Sequence, residues 1–167
     1  MSTRAFLACQ TGAASAEMAL ILPLSLLLLF TAIESGHYFY AQHQLVKGVR
    51  DGARFGARHP FDEVNCRSGG YISSTLQTNV RAITLKGTLT GGSETRSGWD
   101  TDELTFNVTV SCPTTAQATT GIYETAEPAP IINISATMGY KSLFKGLGVI
   151  SDSASLKGEQ NAVVMGI

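Results

Sequence analysis

The stretch "TGAASAEMALILPLSLLLLFTAIESG", residues 11–36, decides the architecture of this chain. From Met18 to Ile33 it carries no charge, and its only polar side chains are Ser25 and Thr31. Extended back to Ala13 the segment has 21 residues. A helix of that length rises about 30 Å, one bilayer core. A single acid, Glu17, stands at its entrance, although an unpaired carboxylate costs roughly 3 kcal/mol at the centre of a bilayer and less near its edge.

The rest of the composition is consistent with one domain. The chain has 167 residues and a formal net charge of −1, which argues against a nucleic-acid binder or an acidic tail. After residue 60 it is rich in Thr, Ser and Gly, as in secreted β-type domains. Three readings compete for the N-terminus. A cleaved secretory signal needs small residues after the apolar run, and Thr31-Ala32-Ile33-Glu34-Ser35-Gly36 offers only a poor site. A lipoprotein signal ending at Cys9, in "AFLAC", has too short an apolar stretch before it. The third reading puts the cut after Gly12, before the apolar run, so that the mature chain keeps its membrane helix.

In that third reading Gly12 is followed by Ala13, Ala14, Ser15, Ala16 and Glu17, a G-x-x-x-x-E pattern directly before the apolar helix. This resembles the processing site of prepilins, which a membrane aspartic peptidase cuts after the Gly. Cleavage would create a new ammonium at Ala13, four residues before Glu17. In a neighbouring subunit that ammonium can offset the buried acid and set the register between packed helices. The bland alternative is that Glu17 merely marks the cytoplasmic interface.

The resemblance is wider than the cut site. Gly12, Glu17, Pro23, Glu34 and Gly36, with "VRDGARFGAR" at residues 49–58, are similar to the N-terminal signature of the TadE-like family, minor pseudopilins of the tight-adherence (Tad, or Flp) pilus system. Met18 stands where the family usually has an aromatic residue. The resemblance is strong over residues 12–58 and loose thereafter. It implies a single-pass protein of the inner (cytoplasmic) membrane with its C-terminal domain extracytoplasmic. The implied role is assembly of the pilus. Implied partners are a prepilin peptidase, other pseudopilins and pilus subunits, the inner-membrane Tad platform and membrane lipid, with no nucleic acid and no cofactor. The basic residues complicate the topology. Only Arg4 precedes the apolar run, whereas Lys47, Arg50, Arg54 and Arg58 follow it, and the positive-inside rule favours the opposite orientation. Lys47 is 14 residues past Ile33, which weakens that objection.

The expected organisation is a prepilin-type leader over residues 1–12, a transmembrane and stalk helix over 13–58, and an extracytoplasmic α+β domain over 59–167, a pilin-like plan. No Pro interrupts the helix between Pro23 and Pro60. Pro23 lacks the donor for the Ala19 carbonyl, so a kink is expected there. Tyr38, Phe39 and Tyr40 suit an aromatic belt at the headgroups. His37 and His43 read as interfacial polar residues, six apart and poorly spaced to share a metal. Gly48, Gly52 and Gly56 form a row that lets a sheet or another helix lie close.

Beyond the stalk, Ile72, Leu76, Val80 and Ile83 have helical spacing, predicting a short helix from about Gly70 to Leu85. "LTFNVTVSC", residues 104–112, alternates as a strand. "IINISATMGYK" and "SDSASLKGEQNAVV" supply further antiparallel strands, and "SLFKGLGVI" between them is ambiguous. Asp100, Asp102 and Glu103 form an acidic cluster read as a lead-in to the first strand. The sequons at Asn107 and Asn133 fall inside strand patterns. If Cys9 leaves with the leader, Cys66 and Cys112 remain as an even pair outside the cytoplasm, which points to a disulfide, against two free buried thiols. There is no nucleophile elbow, CxxC, HExxH or phosphate-binding glycine loop, so the chain reads as an interaction protein and not an enzyme. The alternative is a membrane-anchored extracytoplasmic hydrolase or sensor on an uncleaved helix.

Overall fold

The computed structural model describes residues 12–91, 98–114, 119–123, 127–145, 150 and 153–166. The proposed leader up to Thr11, with Cys9, lies outside the described residues. The elements are α1 (Ala13–Gly56), β1 (Val64–Asn65), β2 (Tyr71–Ile72), α2 (Ser74–Lys86), β3 (Trp99–Ser111), β4 (Ile131–Tyr140) and β5 (Ser155–Val163). The fold is α+β: a long N-terminal helix, a short helix, and an antiparallel sheet in the order β3-β4-β5 with a separate β1-β2 ribbon.

α1 has 44 residues, about 66 Å of helix. Its two halves meet different surroundings. From Ala14 to Leu29 every side chain is exposed. In the second half, Ala41, Leu45, Val49 and Ala53 recur every four residues and are buried. That stripe packs on β4 and β5. β4 supplies the facing layer by alternation up to Met138: Ile132, Ile134, Ala136, Met138 and also Tyr140 are buried, while Asn133, Ser135 and Thr137 point the other way. The open edge of β5 is met by Gln42, whose side-chain amide accepts from the Lys157 amide at 3.2 Å and donates to its carbonyl at 2.6 Å. One amide side chain thus replaces a missing neighbour strand at that residue.

The glycine row does what the sequence suggested. A Cβ on Gly48 would collide with the Thr84 carbonyl, and one on Gly52 with the Thr84 hydroxyl. A Cβ on Gly56 would lie 2.8 Å from Ile132 Cδ1. α2 therefore lies against α1 because two adjacent turns of α1 have no side chain. α2 begins and ends on ordinary signals: Ser73 accepts from the Leu76 amide at 3.2 Å, and Gly87 stops it in the left-handed region at φ 77°. The expected start near Gly70 was too early. Ile72 pairs with Val64 in the β1-β2 ribbon, and Ser73 is already extended as the cap. At its other end α1 stops at Gly56, two residues before the expected Arg58.

β3 is longer than the alternation indicated. It begins at Trp99, and its pairing with β4 shifts between Asp100 and Thr105. Five residue steps on β3 face two on β4, from Gly139 to Thr137, so the strand bulges there. The acidic cluster is that bulge, where the Asp102 amide donates to Asp100 Oδ1 at 3.1 Å. Asn107 and Asn133 both lie in strands.

Cys66 and Cys112 are joined, with Cα atoms 5.8 Å apart. The bond ties the β1-β2 ribbon to the end of β3. Closing 46 residues of sequence separation contributes about 4 kcal/mol in the chain-entropy account. Cys66→Ser and Cys112→Ser are each expected to lose about that much, and the double variant no more than either single one, because one bond is removed in all three. Urea unfolding of the full chain in detergent, read by the single buried Trp99, measures this. Ready alkylation of both residues in the unreduced protein would show that the bond does not form.

Candidate functional site: the bare helix and its junction

The first candidate region is the N-terminal half of α1. Gly12 is the N-cap, and Ser15 Oγ donates to its carbonyl at 2.9 Å. Glu17 lies in the second turn and is exposed, one helical turn above Ala13. Pro23 sits inside a helix that continues through it. Ser25 Oγ donates to the Leu22 carbonyl at 2.9 Å. Around these polar points Leu20, Ile21, Leu22, Leu24, Leu27 and Leu28 are all more than half exposed. The most apolar stretch of the helix is left unburied by the rest of the chain. It is long and apolar enough to cross a membrane. An apolar surface of this length demands a cover of lipid or partner helices.

The second region is where bare helix becomes packed helix, at Glu34. This carboxylate is fully buried. Its Oε1 accepts from the Tyr140 hydroxyl at 2.6 Å and from the Leu143 amide at 3.2 Å. Its Oε2 accepts from the Phe144 amide at 3.3 Å. Burial alone pushes its pKa up, but the bonds from Tyr140, the Leu143 and Phe144 amides and Ser142 outweigh that and hold it below the ordinary carboxyl value. The Tyr140 hydroxyl also lies 2.9 Å from His37 Nδ1. Its one proton goes to Glu34, so the imidazole donates from Nδ1. Tyr38 stacks edge-on to Tyr140, with ring centroids 5.1 Å apart. Trp99 Nε1 donates to the Ala41 carbonyl at 3.2 Å two turns further along. Gly98, at φ 84°, makes this approach possible, since a Cβ there would meet His37 and Ala41.

Some sequence expectations change here. His37 and His43 do not converge: His37 turns into the Tyr140 hydroxyl, while His43 is exposed. His37 is therefore a structural donor and not merely interfacial. Of the aromatic trio, Phe39 and Tyr40 are exposed and suit a belt, whereas Tyr38 packs inward. Lys47, Arg50, Arg54 and Arg58 all point outward. Glu34 entered the sequence reading only as part of a signature. Its packing role depends on Tyr140, 106 residues away, and the available hint was a lone acid at the end of an apolar run.

No match was found among curated proteins or solved structures. Residues 12–54 match the model of the family described as TadE-like protein, the family the sequence resembles, and the match covers this helix from its N-cap to two residues short of its end.

Proposed function

We propose that this protein is a minor pseudopilin that acts in assembly of a tight-adherence pilus, held in the inner membrane by residues 13–33. The observation that carries this reading is the family match lying on a helix that is exposed from Ala14 to Leu29 and whose second half is the spine of a folded domain. A subunit that packs helix to helix in a filament needs such a bare segment, and a bilayer stores it until assembly. In this reading a prepilin peptidase cuts between Gly12 and Ala13. Glu17 then pairs with the new ammonium of a neighbouring pilus subunit. Pro23 gives the helix a point of flexure, and the disulfide-bonded domain faces outward towards sibling pseudopilins. The Tad platform proteins in the membrane hold the helix end. The role is structural, with no chemistry asked of the domain.

The test is the mature N-terminus. Mass spectrometry of the protein extracted from membranes is expected to give a chain starting at Ala13. Gly12→Leu is expected to block the cut, because the side chain before the scissile bond must be small, and the precursor then runs larger on a gel. Normal trimming of Gly12→Leu would move the site elsewhere, and an intact N-terminus on the wild type would favour an uncleaved anchor.

A further inference from the structure

The segment after β4 bends back to the bare helix. The two amides held by Glu34 belong to Leu143 and Phe144. The Phe144 ring packs on Phe30, with centroids 5.0 Å apart. Phe30 belongs to the last turn of the uncharged run that ends at Ile33. Any bilayer that covers that run therefore reaches the level of this loop. Leu143 adjoins Phe144 in the chain and is 49% exposed, a large apolar side chain on the surface of this loop. Lys141 and Lys145 flank it, both exposed. The backbone of Lys141 is held by the fold, since its amide donates to the Gly98 carbonyl at 3.0 Å.

We infer that the Lys141–Lys145 loop is a second membrane contact, with Leu143 seated at the acyl-chain boundary and Lys141 and Lys145 bound to phosphates of anionic lipids. An apolar tip between two flexible cations is what a headgroup layer accepts, because the stems of lysine lie along apolar surface while the ammonium reaches phosphate. Exposed Phe39 and Tyr40 on the helix add ring edges a little further out. Two points of contact, helix and loop, orient the domain on the bilayer. Withdrawal of the helix into a filament must lift the loop out of the lipid. This inference rests on the reading that residues 13–33 span a membrane.

The experiment uses the full chain in liposomes whose lipids carry bromine partway down the acyl chains, where bromine quenches nearby tryptophan. Trp99 is buried and gives the parent level. Leu143→Trp is expected to lose most of its added fluorescence, as is Leu24→Trp in the helix. The quenching at position 143 is expected to be stronger with phosphatidylglycerol than with phosphatidylcholine alone, and Lys141→Gln with Lys145→Gln is expected to abolish that difference. Quenching of Leu24→Trp with Leu143→Trp at the parent level would overturn the loop contact and leave the anchor standing. Quenching of neither would overturn the anchor and the contact with it. Quenching at 143 that does not depend on lipid charge would overturn the lysine–phosphate part.

Discussion

Glu34→Ala is expected to unfasten the folded domain from the end of the bare helix. The buried Tyr140 hydroxyl, the part-buried amides of Leu143 and Phe144 and the Ser142 side chain lose their acceptor together. Each buried donor left unpaired costs about 1–3 kcal/mol, and water entering the gap recovers part of it, so a loss of about 3 kcal/mol is expected. Glu34→Gln is milder. Its carbonyl can still serve Tyr140 and Leu143, but its amide then faces the Phe144 N–H, donor to donor. The comparison of wild type with Glu34→Gln also isolates the charge. The folded-state pKa of Glu34 lies below its unfolded value, so the ionised carboxylate stabilises the fold at pH above the ordinary carboxyl range. That contribution is lost as pH falls through the lowered folded-state value. Urea unfolding followed by Trp99 in detergent should give a difference between the two proteins that is constant near neutral pH and shrinks in acid. A difference that stays constant through the acid range would mean that Glu34 is not the charged acceptor described here.

The same junction marks how far the sequence could be read. α1 was legible because its signal is local: an unbroken apolar run, then a stripe every four residues, with no Pro between Pro23 and Pro60. The glycine row was legible for the same reason, since absence of side chains on one face invites a close neighbour whatever that neighbour is. β4 and most of β3 alternate and needed no partner to be recognised. The features that escaped have long-range causes. Glu34 meets Tyr140 across 106 residues, and Gln42 meets Lys157 across 115. Neither pair leaves a periodic trace. The β1-β2 ribbon escaped because two-residue strands have no period, and Ile72 happened to fall in step with Leu76 and Val80. The bulge at Asp100–Thr105 is fixed by pairing with β4 and has no signature of its own.

At the other end of the helix, Glu17→Ala is expected to abolish pilus formation while leaving the protein in the membrane. Removing an acid from the edge of an apolar helix makes insertion easier, by at most the roughly 3 kcal/mol that a charge costs at the bilayer centre. Protein level and leader removal should therefore hold. Glu17 makes no contact that the domain needs, because it lies on the exposed part of α1, far along the helix from Glu34, the first buried residue among those described. Loss of assembly with an intact domain would then place its role between subunits, where the ammonium at Ala13 of one chain pairs with the carboxylate of the next. Charge is the decisive property in that pairing. Glu17→Gln keeps the size and polarity and should fail like Glu17→Ala, whereas Glu17→Asp keeps the charge on a shorter arm and should retain part of the yield. Surface pili in a complemented deletion strain give the measurement, with cleavage and membrane level followed in parallel. Normal pili with Glu17→Ala at normal protein level would reduce Glu17 to a marker of the membrane interface. Normal pili with Glu17→Gln alone would keep a polar contact there and remove the ion pair.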